Sequence, residues 1–258
     1  MDLQIGFNEI ETDALENNSM EAVWTYYNRQ DNHHYIVPDG RTDIIFTFHV
    51  HTNGAISNII PLISPPFTQA HCIKAGAHQG FIGFRLKAGA ASPFLKCPLA
   101  QISGSLQYGQ HAVAQIPWLK QVGSSKRNMA QLISTINPHI CTNPRPAAAS
   151  SIIADILSLM HEGQGGLPIK HIAQQIKLSE RTLNRKFIGA IGLPPKQYSS
   201  IIRLRRAIKC LTNPDYAISS IAIDCGFADQ AHMTREIKLY MGQTPTRLKT
   251  RLETEILL

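Results

Sequence analysis

The chain has 258 residues, 43% of them hydrophobic and 17% charged, with 25 Lys+Arg against 18 Asp+Glu for a formal net charge of +7. Domains usually run to about 100–200 residues, so the length points to two domains, and the composition excludes a disordered chain. No run reaches the roughly 20 apolar residues of a membrane span and Met1–Ile10 holds no signal-peptide core, so the expectation is a soluble, cytoplasmic protein with no membrane partner.

Along the N-terminal half, Trp24, Tyr26 and Tyr27 are aromatics suited to a core, with stacking on a ligand as the alternative. The turn Pro38-Asp39-Gly40 leads into the β-rich run Thr42 to His49, and Phe81 to Leu86 forms a second such run ahead of Gly89. Between them Gly54, Pro61 and Pro65-Pro66 are expected to cut the chain into short pieces. Helical periodicity is expected at about Ala90 to Leu95 and again from Lys126 to Ile136. Residues 1–140 therefore read as an α+β domain with a small, mostly antiparallel sheet or a barrel-like β core.

Eight of the eleven His lie before residue 151. His49 and His51, two apart in a strand, share a face, and His33, His34, His71 or His78 would have to complete a metal site. No third ligand has a fixed spacing, so these are read as surface or core histidines and no metal or cofactor is expected. Asp39 and Asp43 are read as parts of a turn rather than as a catalytic carboxylate pair. The five Cys (72, 97, 141, 210, 225) are odd in number and include no C-x-x-C pair, which fits reduced thiols rather than a disulfide framework or zinc knuckle.

Cys141 to Ser150, with Pro144 and Pro146, reads as a linker (141–150), and the character then changes. Residues 1–150 carry 10 Lys+Arg and 9 Asp+Glu, whereas 151–258 carry 15 and 9, so the basicity belongs to the second part. From Ser151 apolar residues recur at three and four (Ile152, Ile153, Ile156, Leu157, Met160), the pattern of an all-α domain. Within it Ile169, Ile172 and Ala173 recur as Ile218, Ile221 and Ala222, an offset of 49, while Phe187, Gly192 and Pro195 recur as Ile237, Gly242 and Pro245, an offset of 50. One extra residue in the second turn accounts for the slip. The repeat implies two short helix pairs, at about 168–191 and 217–241, joined by a long amphipathic helix from about Pro195 to Leu211.

In the first pair Ser179 is placed to cap a helix whose buried face holds Leu183, Phe187, Ala190 and Ile191. Arg181, Asn184 and Arg185 stand at i, i+3 and i+4 on the other side, with Thr182 beside them. Arg matches the two acceptors of guanine and Asn the donor and acceptor of adenine, as a helix in the DNA major groove requires; a solvated charged face has a similar look. In the second pair Asp229 is the cap, Met233 and Ile237 face inward, and Gln230, His232, Thr234 and Arg235 are the outward candidates. Glu236 would repel phosphates if it faced them. Ser179, Lys186, Arg203, Arg206, Lys209 and Lys238 are candidate phosphate contacts, although the bases of the connecting helix serve equally well as solubilising charges.

These residues resemble the AraC/XylS-type transcription regulators over roughly Ser151 to Arg251. The stretches that carry the resemblance are Ile172-Ala173, Leu178-Ser179, Thr182-Leu183, Arg185-Lys186-Phe187 and Gly192-Leu193-Pro194-Pro195, then Ile221-Ala222, Gly226-Phe227, Asp229-Gln230, Thr234-Arg235, Lys238, Gly242 and Thr244-Pro245. The resemblance implies two helix-turn-helix units joined by a long helix, with base-reading positions at Arg181, Asn184 and Arg185 and at Gln230, Ala231, His232 and Arg235. Lys177 stands where the family commonly has Gly, and Met233 and Ile237 where aromatic core residues are common. Pro38-Asp39-Gly40-Arg41-Thr42-Asp43 and Gly83 to Ala90 resemble, more loosely, a sensor-type domain that precedes this module in some regulators.

The expected function is that of a sequence-specific, DNA-binding bacterial transcription regulator of the AraC family, nucleoid-associated and not an enzyme. Its partners would be double-stranded promoter DNA, RNA polymerase and a small effector of unassigned site, in an activator that forms a homodimer. Two alternatives remain: a small-molecule or metal-dependent enzyme domain (1–140) fused to a DNA-binding module, or an N-terminal domain that only dimerises. Alkylation-repair proteins couple a similar module to a four-Cys zinc site, and only Cys72, Cys97 and Cys141 lie in this N-terminal half.

Overall fold

The computed structural model describes residues 4–10, 19–122, 128–141 and 149–252, so most of the linker assigned to 141–150 lies outside the described residues. The chain divides into two units, the first made of Met1–His33, Arg41–Pro65 and Lys74–Ala147, the second of His34–Gly40, Pro66–Ile73 and Ala148–Leu258. Among the described residues no helix is long and apolar enough to cross a membrane.

The first unit is built on β1 (Gly6–Ile10), β2 (Met20–Tyr27), β4 (Thr42–Val50), β5 (Ile56–Ser64), β7 (Gln79–Leu86) and the short β8 (Gln107–Tyr108). They form one six-stranded sheet in the order β1-β2-β7-β4-β5-β8, with antiparallel pairing throughout. The central strand β4 is buried along nearly its whole length. On it Ile44, Phe46 and Phe48 join Ile82, Phe84 and Leu86 of β7 in a single apolar cluster. That cluster is completed by residues of α1 (Leu99–Ile102), α2 (Gln110–Gln115), the 3-10 turn Pro117–Val122 and α3 (Met129–Cys141). Burying an aliphatic or aromatic side chain contributes about 1.5–3 kcal/mol, so this sheet-and-helix layer carries the unit.

Buried polar groups also serve the sheet. Asp43 of β4 lies opposite Arg85 of β7 and accepts from its Nε at 3.2 Å, and Trp24 Nε1 donates to Asp43 Oδ2 at 3.0 Å. The Trp24 indole covers Gly83, where a Cβ would come within 2.1 Å of it, so the gap in Phe-Ile-Gly-Phe is room for a ring. Trp24 is thus a framework residue, Tyr26 and Tyr27 are buried in the same strand, and Asp43 is a structural ion-pair partner rather than half of a carboxylate dyad.

Two local expectations need correction. The run Ile56–Ser64 is one strand of nine residues despite Pro61. The carbonyl of Pro61 accepts from Gly109 N–H on the β8 side, so its missing N–H also faces that side, and no hydrogen bond to β4 is lost. The helix expected at Ala90 to Leu95 is a single 3-10 turn, Ser92–Phe94, because Pro93 suits only a helix start and Leu95 is extended.

In the second unit, α4 (Ala149–Glu162) precedes α5 (Ile169–Gln175) and α6 (Glu180–Ile191), then α7 (Pro195–Leu211), α8 (Ile218–Asp224), α9 (Gln230–Met241) and α10 (Pro245–Leu252). Segments 34–40 and 66–73 come from the other half of the sequence yet belong to this unit. β3 (Asn32–Ile36) and β6 (His71–Ala75) pair as a two-stranded ribbon. The Arg251 guanidinium sits 4.0 Å over the Tyr35 ring, and Ala70 N–H donates to the Tyr240 carbonyl at 2.6 Å.

Candidate nucleic-acid interface

The two halves of the repeat fold alike down to their turns. After α5 the chain turns through Lys177, and Leu178 N–H reaches back to the Ala173 carbonyl at 2.9 Å; after α8 it turns through Gly226, and Phe227 N–H reaches the Ala222 carbonyl at 3.0 Å. Both are helix-ending turns through a left-handed residue, with φ of +54° at Lys177 and +79° at Gly226. Ser179 Oγ then accepts from Thr182 N–H at 3.2 Å to cap α6, and Asp229 Oδ1 accepts from His232 N–H at 2.6 Å to cap α9. Ala228 is the additional residue in the second turn that changes the offset from 49 to 50.

On α6 the buried residues are Leu183, Phe187 and Ile191, and Arg181 and Arg185 are exposed on the opposite side. Asn184 and Thr182 flank them, half-exposed. The Asn184 amide donates to the Glu180 carbonyl of its own helix at 3.0 Å, so it is engaged within α6. On α9 Met233, Ile237, Tyr240 and Met241 are buried, while Gln230, Ala231 and Arg235 are exposed. Thr234 Oγ1 is bonded to the Gln230 carbonyl at 2.8 Å, a local bond of the kind hydroxyls make within helices.

Residues 172–251 match the family described as "Helix-turn-helix domain", and residues 17–106 match a "Domain of unknown function (DUF6597)". The Msm operon regulatory protein of Streptococcus mutans is 23% identical over 155 residues, covering 60% of this chain and 55% of that protein. The HTH-type transcriptional activator RhaS of Escherichia fergusonii is 35% identical over 78 residues, 30% of this chain and 28% of that protein. The chain therefore spans about half the length of the first of these relatives and less of the second. A solved AraC-type transcriptional regulator from Chromobacterium violaceum is 25% identical with a TM-score of 0.39, covering 43% of this chain and 100% of that one. Residues 172–251 carry a helix-turn-helix domain.

Within the helix-turn-helix domain, several side chains depart from their expected roles. Arg203, expected at phosphate, is turned inward: its guanidinium donates to the Gly165 carbonyl, to Ser200 Oγ at 3.0 Å and to both oxygens of Glu236, at 3.0 and 3.2 Å. The two side chains are only 14% and 17% exposed, and Phe227 lies 5.6 Å from the guanidinium carbon. Glu236 therefore neutralises an internal cation and ties α9 to α7 instead of opposing DNA. Gly165 is the residue that permits the approach, since with φ at +75° a Cβ there would lie 2.4 Å from the Ser199 carbonyl.

His232, expected as a reader, uses both ring nitrogens inside the protein: Nδ1 accepts from Ala228 N–H at 3.2 Å and Nε2 lies 3.4 Å from Glu236. Arg206 donates to the Asp224 carbonyl at 2.9 Å, closing the end of α8, and Ser179 is engaged as a cap. Lys209 and Lys238 are exposed and Lys186 is half-exposed, placements open to a phosphate backbone. The inward turn of Glu236 had a signal in the sequence, since it stands three residues after Met233 and four before Tyr240, both core positions.

The thiols are packing groups or free side chains. Cys225 is buried with its sulfur 3.9 Å from that of Cys210, and burial, reinforced by Cys210, pushes its pKa up to about 12, so it stays a protonated packing group. Cys72 and Cys97 are likewise free thiols. In the β-rich unit His49 and His51 do come together, 5.2 Å between rings, with His78 6.2 Å from His49. Among the described residues no group of three or more His, Cys, Asp or Glu is placed to hold a metal ion.

Proposed function

We propose that the chain is a sequence-specific, DNA-binding transcription regulator in which α6 and α9 enter successive major-groove segments, roughly 34 Å apart along a promoter. The observation that carries this reading is the doubled unit, in which two capped helices, offset by 50 residues, each bury one face and expose arginine on the other. A solvated charged face needs no such duplication. Arg181 and Arg185 supply fork-shaped donors for guanine, and Gln230 and Arg235 supply the second, less discriminating contact. Lys186, Lys209 and Lys238 contribute phosphate contacts that set affinity rather than sequence.

The match to a regulator of an operon and to a transcriptional activator supports a role at promoters, in contact with RNA polymerase, in the bacterial nucleoid. The β-rich unit is assigned a sensory role, with a small effector governing DNA binding and a homodimer as the working form. Selection of bound DNA from a random pool by the full chain tests the reading. A recovered bipartite motif with half-sites about one helical turn apart is expected; a pool that stays random after repeated rounds overturns it.

A further inference from the structure

A cleft of about 690 Å³ in the β-rich unit has the composition of an anion site. That volume lies within the range of small-molecule sites. The cleft forms at the end of the sheet, where β2 runs out, β4 turns toward β5, β7 begins and α3 starts. Arg29, His51 and His78 line it, and among the described lining residues there is no Asp or Glu. The nearby Asp31 is engaged elsewhere, accepting from Ala77 N–H at 2.7 Å.

The two side-chain amides of the lining are oriented as donors. Asn53 Oδ1 accepts from Ala55 N–H at 3.1 Å, and Asn128 Oδ1 accepts from Gln131 N–H at 2.8 Å. A backbone N–H can only donate, so each amide must present its oxygen to the turn or cap, which leaves its NH2 group for a ligand. Tyr27 OH meets His78 Nδ1 at 3.4 Å, and His51 Nε2 meets Ser57 Oγ at 2.7 Å, which leaves the second nitrogen of each ring. Asn128 also opens the thirteen-residue α3, whose N-terminal end adds positive potential.

The wall is shaped at a conformational cost. His78 has φ of +59°, a left-handed value that non-glycine residues rarely adopt, and is clamped there by His78 N–H to Asn28 O at 3.1 Å and Val50 N–H to His78 O at 2.9 Å. Beside it β5 carries an extra residue against β4 between Thr47 and His49, with Asn58 at φ +52°. Strain and bulges gathered at one end of a sheet are typical of sites that aim side chains at a ligand.

We propose that this cleft binds a small organic anion through Arg29, His51 and His78, the head group being a carboxylate or a phosphate. Its identity as the effector site rests on the regulator reading above; the anion binding itself does not. The test is calorimetric titration of the full chain, without DNA, with inorganic phosphate, glucose 6-phosphate and succinate, glucose serving as the neutral control. Saturable binding of a phosphate or of the dicarboxylate, with none of glucose, is expected, and the arms tell the two head groups apart. The exposed Arg29, changed in Arg29→Ala, should weaken that binding about tenfold or more while leaving the unfolding midpoint unchanged. Bound anion should also shift the ring resonances of His51 and His78. No binding by any of the three, equal binding by wild type and Arg29→Ala, or binding that leaves both rings unmoved would overturn the proposal. Saturable anion binding by a chain that selects no DNA would instead remove the regulator reading and leave the cleft assigned.

Discussion

Single residues in this protein are decided by what the backbone asks of them. Lys177 adopts φ +54° in the turn where the second copy has Gly226 at +79°. A side chain in that region costs about 1–2 kcal/mol and the added freedom of an unfolded glycine about 0.4–1 kcal/mol, so Lys177→Gly should stabilise the chain by about 0.5–1 kcal/mol, measured by urea unfolding. Arginines separate by environment in the same way. Arg185→Ala is expected to reduce discrimination between operator and mismatched sites by about 1–3 kcal/mol with stability unchanged, read by competition binding. Arg203→Ala should instead destabilise the fold by about 3 kcal/mol, because it takes the guanidinium from the largely buried Glu236 carboxylate and leaves it only Ser200 and His232. Unaltered unfolding of Arg203→Ala would contradict the placement of that ion pair.

Elements of the helical unit were legible in advance to the extent that their signals are local. Caps Ser179 and Asp229, the apolar faces of α6 and α9 and the span of α7 all follow from spacing over a few turns. The strand β5 was not legible, because Pro61 is harmless only on the side of the strand where β8 lies, and that side is set by pairing. Nor was the membership of segments 34–40 and 66–73 in the helical unit, since nothing in either stretch announces a partner more than a hundred residues away. The second segment ends near His71, whose imidazole packs against Phe67 at 4.3 Å and is held below its ordinary pKa by burial, opposed by the Gln69 backbone. A base with a lowered folded pKa takes up its proton more readily when unfolded. Its contribution is therefore whole above pH ~6.5 and is lost as the pH falls toward the folded value. Unfolding midpoints should drop between about pH 7 and pH 5, and His71→Phe should flatten that part of the dependence.

At the scale of the molecule, charge is distributed rather than concentrated. The +7 of the chain resides mostly after residue 150, and part of it, Arg203 and Arg206, is spent on internal partners. DNA affinity should therefore fall linearly with salt on logarithmic axes, with a slope set by the exposed lysines and arginines alone. Lys209→Ala is expected to reduce the slope by about 1 and to weaken all sequences alike, whereas Arg203→Ala should leave the slope as it is where the fold persists. Filter binding across a salt series separates the two.

The sequence by itself determined the helical repeat, its caps, its basic helices and the resemblance that follows from them, because each is written in neighbours three, four or fifty residues apart. Tertiary structure alone decided that Arg203 faces inward. Arg203 and Arg185 are the same side chain on helices of similar pattern, and only the approach of Gly165 and Glu236 makes one a strut and leaves the other exposed. The same holds for the histidines: His49 and His51 come together two positions apart, but the cleft that gathers His51, His78 and Arg29 exists only where β2 and β4 end and β7 and α3 begin.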